Sequence, residues 1–171
     1  MKLTWFGGTT LRTHIGGKVL VCDPDGAPQG IDPAELVSGV DRVFGLDDDL
    51  PEADSAGWQP RRPGALIDAA AERPEVLLHR LGQGAILVDS VGEPPLLLLS
   101  HPIETAGRWS RDAVAVSFSR EAAEQALAVL APRMIALALP ESAVDAAFAA
   151  LRDRLGGTAL IAMEPGLAVE A

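Results

Sequence analysis

The sequence has no tyrosine, one cysteine and three histidines in 171 residues. A lone Cys22 excludes an intrachain disulfide and any cysteine-rich zinc site. Four Phe and three Trp are the remaining aromatics, too few for stacking on sugars or bases to be the main business. Positive charge is scarce: 14 Lys and Arg stand against 24 Asp and Glu, a net charge of −10. That excludes a non-specific nucleic-acid binder, which needs a basic footprint, and disfavours docking on an anionic membrane surface. Long apolar runs are missing too. The leucine run from Leu96 to Leu99, like every other apolar run, is far too short to cross a bilayer. The start, MKLTWFGG, lacks the apolar core of a signal peptide, so the expected location is cytoplasmic. No G-x-S-x-G, Walker A or H-E-x-x-H motif occurs.

What is present is the balance of a globular protein, 48% hydrophobic and 22% charged. The length suits one domain over residues 1–171 that buries roughly 70% of its unfolded surface without staples. KLTWF (2–6) and TTLRTHI (9–15) alternate like strands, the second with Thr10, Arg12 and His14 on one face and Leu11 and Ile15 on the other. Gly16-Gly17 is a two-residue hairpin signal, and KVLVCDP is a buried strand ended by Asp-Pro. Asp32, Pro33 and Glu35 mark the start of a short helix. It breaks at Gly39 before a strand, DRVFGL. An acidic, then Pro- and Gly-rich loop leads to ALIDAAAERPE, which has helical character. EVLLHRL, GAILVDS and PLLLLSHP read as a second meander, and DAVAVSFS as a further strand. The last third alternates: helix REAAEQALAVLAP, strand RMIALALP, helix SAVDAAFAALRDRLGG with Ser142 as N-cap and Gly156 as stop, and TALIAMEPG as the last strand. That is the pattern of helices packed on a sheet.

MKLTWFGGTTLRTHIGGKVLVCDP resembles the opening of the metallo-β-lactamase fold, closest to the zinc-dependent branch that includes the ascorbate-6-phosphate lactonases. Those chains begin with a strand, a Gly-His-Ser or Gly-His-Ala turn, a second strand and a terminal Asp-Pro. The resemblance also touches APRMIALALPES and GGTALIAMEPGLAVE near the end, and is thin between. It implies an α/β fold, a trimmed αββα sandwich. Two sheets should pack face to face with helices outside. The first should start with residues 2–23, and the second should hold the strands near 113–118, 133–139 and 158–163.

The resemblance also implies where a metal would lie, and there this chain departs from it. The family turn histidine falls on Gly8. The pair in H-x-H-x-D-H falls on Asp47 and Asp49, and the Asp-His that follows on Pro51 and Glu52. The histidine of a terminal Pro-Met-His falls on Leu139. Asp23, which in the family braces the zinc loop, is retained. His101 stands where the family places a bridging aspartate after a strand. Gly8, Asp23, Asp47, Asp49, Glu52, His101 and Leu139 are therefore expected to meet at one edge of the sandwich as a vestigial cleft without metal, shallow or partly filled by Leu139. The blander readings are a loop histidine at 101, exposed strand histidines at 14 and 79, and an acidic turn at Asp47–Asp49. Three functions remain open: a non-catalytic module binding an unknown protein or small molecule, with homo-oligomers allowed; a hydrolase of lactones or phosphoesters using Asp47, Asp49, Glu52 and His101 around a weakly bound divalent cation; or a plain scaffold.

Overall fold

The computed structural model describes residues 1–61 and 75–171; the helix expected over ALIDAAAERPE falls almost entirely outside them. The chain opens on three antiparallel strands, β1 (Lys2–Gly7), β2 (Thr10–Ile15) and β3 (Lys18–Cys22). Alternation sends Leu3, Trp5, Leu11 and Ile15 to one face, where they are buried. Gly16 and Gly17 both have positive φ, 56° and 73°, as the tight hairpin between β2 and β3 demands. A short helix α1 (Pro33–Leu36) follows, capped by Asp32, whose Oδ1 accepts from the Ala34 amide at 2.9 Å. Arg12, on the outer face of β2, donates to the carbonyls of Leu36 and Ser38 and so ties this segment to the sheet. The next strand, β4 (Arg42–Phe44), is shorter than DRVFGL and pairs parallel to β3.

The second sheet holds β5 (Val76–Gly82), β6 (Ala85–Ser90), β7 (Leu96–Leu99), β8 (Val114–Ser117), β9 (Met134–Leu137) and β10 (Ala159–Ala162) in reverse spatial order, β10-β9-β8-β7-β6-β5. The first three form the expected meander, and β7 to β10 run parallel. Helices α2 (Arg120–Gln125) and α3 (Glu141–Leu151) lie between parallel strands and cover the outer face of this sheet. There Ala122, Ala123, Ala147 and Leu151 pack with Leu97, Leu99, Ile135 and Leu137. The residues alternating with these, among them Leu96, Leu98, Val114, Val116 and Ala136, face the first sheet and meet Leu3, Trp5, Leu11 and Phe44 in the inter-sheet core. Each buried Val, Leu or Phe among them contributes roughly 1.5–3 kcal/mol.

Three local readings need correction. The α3 N-cap is Pro140, with no side-chain cap, not Ser142. The helix expected over 120–132 starts as α2 but widens to a π turn at Ala126–Leu130, and left-handed Ala131 (φ 44°) closes it by donating to the Ala126 carbonyl. TALIAMEPG is not the last strand: β11 (Ala168–Glu170) returns and pairs antiparallel with β1, giving a first sheet ordered β11-β1-β2-β3-β4. The loop from β10 to β11 crosses from one sheet to the other, and the Gly166 amide donates to the Trp5 carbonyl at 2.7 Å. This crossing puts the carboxyl ends of β1, β3 and β4 on the same edge as those of β7 to β10.

Candidate functional site

That shared edge is where side chains from both sheets could meet. On the first sheet, the β1–β2 turn, the β3 exit and the β4 exit form one corner. Trp5 donates Nε1–H to the Gly8 carbonyl at 3.0 Å, holding the turn. Gly8 (φ 54°) lies so close to the Gly26 carbonyl that a Cβ would stand 3.0 Å from its oxygen. Asp23 sits in the left-handed region (φ 45°, ψ 58°), a conformation that costs a non-glycine residue about 1–2 kcal/mol. Hydrogen bonds at its amide, carbonyl and carboxylate hold it there, among them the Gly26 amide donating to its carbonyl at 3.0 Å. Its amide donates to the Phe44 carbonyl at 2.9 Å, its carbonyl accepts from Thr10 Oγ1 at 2.6 Å, and its Oδ1 accepts from the Leu46 amide at 3.2 Å.

The acidic run supplies a second brace. Asp48 Oδ2 accepts from the Gly45 amide at 2.9 Å, reaching back across a turn in which the Asp48 amide donates to the Gly45 carbonyl at 3.3 Å. Gly45 is wedged between the two carboxylates, since a Cβ there would lie 3.0 Å from Asp23 Oδ1 and 3.1 Å from Asp48 Oδ1. A shallow cleft of about 420 Å³, lined by Thr9, Asp23, Asp25, Gly45 and Asp48, opens over this corner. The field beneath it is negative. The buried Cys22 thiol has its pKa pushed well up, first by loss of solvent and then by the carboxylates of Asp23 and Asp48, so it is held as an inert thiol.

The other expected residues lie elsewhere along the edge. Asp47 and Asp49 flank Asp48 and are exposed. Glu52 is exposed, forms a parallel bridge with Arg80 of β5 and accepts an ion pair from it at 2.7 Å. His101 follows β7, with Nδ1 2.9 Å from Ser100 Oγ, while Ser100 Oγ donates to the Gly84 carbonyl at 3.1 Å. The ring lies over the β5–β6 turn, where a Cβ on Gly84 would come within 2.4 Å of Nδ1. It lines a separate cavity of about 540 Å³ with Ser55, Gln83, Glu104 and Thr105, which shares no residue with the Asp23–Asp48 cleft. Leu139 is buried in the helix-side cluster and does not fill an inter-sheet cleft; its neighbour Ala138 faces the inter-sheet core. His14 is exposed on β2, and His79 is half-buried on β5, more enclosed than expected.

Two residues that carry geometry here were not singled out by sequence reasoning. Asp48 enters the sequence reading only as part of an acidic run, and nothing in GLDDDL marks the middle aspartate as the one that reaches back to Gly45. Ser100 positions the His101 ring, and nothing in LLLLSHP announces that pairing.

The architecture is that of the metallo-β-lactamase fold. Igni18, a metallo hydrolase from the hyperthermophilic archaeon Ignicoccus hospitalis, superposes with a TM-score of 0.53 at 13% identity over 99% of this chain and 98% of its own. A Thermotoga maritima protein described as a Zn-dependent hydrolase of the metallo-β-lactamase superfamily superposes with a TM-score of 0.50 at 14% identity over 96% of this chain and 99% of its own. Both likenesses are at the level of fold. No family model matches the sequence, and no curated protein matches it.

The fold implies zinc, and the donor set among the described residues does not fit it. Zinc takes imidazole, thiolate and carboxylate donors at about 2.0–2.3 Å in a tetrahedral shell. The only histidine at this edge, His101, lines a different cavity from the carboxylates. Asp23 and Asp48 each commit an oxygen to a backbone amide. Among the described residues, no group of three or more His, Cys, Asp or Glu is placed to hold a metal ion. Also among them, no helix is long and apolar enough to cross a membrane.

Proposed function

We propose that this chain is a metallo-β-lactamase-fold protein, derived from the lactonase-like branch, that has lost its zinc ligands and serves as a cytoplasmic, non-catalytic binding or regulatory module. One observation carries the reading. The cleft at the corner where a metal would be held is lined by no histidine, and its carboxylates already serve backbone amides, Asp48 that of Gly45 and the retained brace Asp23 that of Leu46. A carboxylate that serves as the acceptor of a structural amide is a brace, and the nearest imidazole belongs to another cavity. What remains is a shallow acidic cleft suited to a small molecule or a protein segment that offers hydrogen-bond donors.

Metal analysis of protein expressed in zinc-supplemented medium tests this reading. Far less than stoichiometric zinc is the expected result. Stoichiometric, tightly held zinc that is lost in His101→Ala overturns it. Thermal melts with millimolar Mg²⁺, Ca²⁺ or Mn²⁺ address the carboxylate-site hydrolase. No shift is expected; a shift abolished by Asp47→Asn with Asp49→Asn would favour that reading instead.

A further inference from the structure

Of the sheet edges, β10 is the least guarded. The outer side of β5 is occupied: Ala53 donates to the Arg80 carbonyl and Arg80 to the Pro51 carbonyl, with the Arg80–Glu52 ion pair above them. Strand β4 is three residues long, carries Arg42 and follows Asp41. Strand β11 is also three residues long and carries Glu170. By contrast, Thr158 to Met163 reads TALIAM, with no charge, proline or glycine. Exposed edges of this kind are ordinarily blunted by charge, proline or a bulge, because their free N–H and C=O groups template a further strand.

The register defines which groups are free. The amides of Ala159 and Met163 donate to the Arg133 and Leu137 carbonyls of the β9 side. By strand alternation, the backbone groups of Leu160 and Ala162 point away from β9. No described strand pairs with them. The ends of the strand carry opposite charge. Arg133 and Arg154 lie at its start, through the Ala159 amide bond to Arg133 and the turn Leu155–Thr158. Glu164 lies at its finish. None of these three has an ion-pair partner among the described residues.

We propose that β10 is a self-association edge, pairing antiparallel with β10 of a second copy of this chain. A two-fold axis at Ile161 sets Ile161 against its own copy and Leu160 against Ala162 of the other chain, and each Leu160–Ala162 pair exchanges both of its N–H···O bonds. The same antiparallel arrangement brings the Arg133–Arg154 end of one chain against Glu164 of the other. A second copy therefore satisfies the free backbone and the end charges together, joining the two six-stranded sheets into one. Exposed Leu167 (57%) lies in the turn after the strand and adds apolar surface at the rim. The contact is small, so the dimer is transient, with a dissociation constant on the order of 10–100 µM. The pairing does not depend on whether the cleft binds a ligand.

Sedimentation velocity across roughly 1–500 µM tests it together with amide exchange. A concentration-dependent shift from monomer to dimer is expected, with exchange at Leu160 and Ala162 slowing as concentration rises. Ala162→Pro removes an outward donor without touching the β9 ladder, and Ala162→Lys puts a charge on the edge. Both are expected to stay monomeric with wild-type circular dichroism. Glu164→Arg is expected to weaken the dimer by about tenfold. Should the position-162 variants misfold, concentration-dependent protection at Leu160 and Ala162 in the wild-type chain decides alone. A monomer at the highest concentration, a dimer surviving Ala162→Lys, a dimer without that protection, or an edge that takes an extended peptide but no second copy would each overturn the proposal.

Discussion

At the scale of single residues, the corner around Asp23 behaves as a clamp. Left-handed backbone at Asp23 is tolerated because its amide, carbonyl and carboxylate are all engaged. Asp23→Ala would keep the strained φ and leave the Leu46 amide without its acceptor. A loss of about 2 kcal/mol in urea unfolding is expected. Asp23→Asn keeps an acceptor and a residue at ease in that region, and is expected to lose under about 1 kcal/mol. Equal losses from the two variants would show that the side-chain bond contributes nothing. Beneath them, Cys22 has a pKa raised above its ordinary value of 9.0 by burial and by two carboxylates. The folded chain therefore holds the proton where the unfolded chain gives it up. The resulting stability is full below about pH 9 and falls as pH rises beyond it. Comparing wild type with Cys22→Ala at pH 7 and pH 10 is expected to show the extra alkaline loss in the wild type alone. The native thiol is also expected to resist a disulfide reagent at pH 8 that modifies the urea-unfolded chain.

At the scale of elements, the two long helices start differently. Ser119 caps α2, accepting from the Ala122 amide at 3.1 Å, and its hydroxyl also lies 3.0 Å from the Ser100 carbonyl. Helix α3 starts after Pro140 without a side-chain cap. Ser119→Ala is therefore expected to cost about 1–2 kcal/mol, and Ser142→Ala only a few tenths. Denaturation midpoints that fell equally for both would mean that Ser142 caps the helix after all. The π turn at Ala126–Leu130 belongs to this scale too. It ends on left-handed Ala131 just before Pro132, which has no amide to continue the ladder.

At the scale of the whole molecule, two cores share one sheet. Strands β7 and β8 present Leu96, Leu98, Val114 and Val116 to the first sheet, and Leu97, Leu99 and Ala115 to the helices. Central Leu98, 1% exposed, is expected to cost about 2–5 kcal/mol when changed to alanine. Val43, 46% exposed on edge strand β4, is expected to cost under about 0.5 kcal/mol. A two-state urea series on both variants checks the contrast. Similar losses would mean that the inter-sheet core is far looser than drawn.

Much of this was legible locally. Alternation in KLTWF and TTLRTHI, the paired glycines at 16 and 17, the Asp32-Pro33 start and the continuous apolar runs of the parallel strands are short-range signals. They fix which residues become strands, helices and turns. The helix–strand alternation at the end was enough to expect helices packed on a sheet, while the two-sheet sandwich was expected from the resemblance to the metallo-β-lactamase fold. Residue identity also limits the imidazoles the chain can offer to His14, His79 and His101. Tertiary structure decided the rest. The tail AVE becomes a strand only because β1 offers it an unpaired edge. Whether Asp48 is a solvated charge or a brace depends on where the Gly45 amide points. Whether His101 joins the carboxylates depends on its neighbour Ser100, whose hydroxyl is in turn held by the Gly84 carbonyl 16 residues back in the chain. Leu139, by contrast, faces the helices as strand alternation with Ile135 and Leu137 dictates. Sequence periodicity assigns a residue to a face of its own element. Which residues then come within bonding distance is set by how the crossing from β10 to β11 aligns the two sheets, a relation between segments that no local pattern encodes.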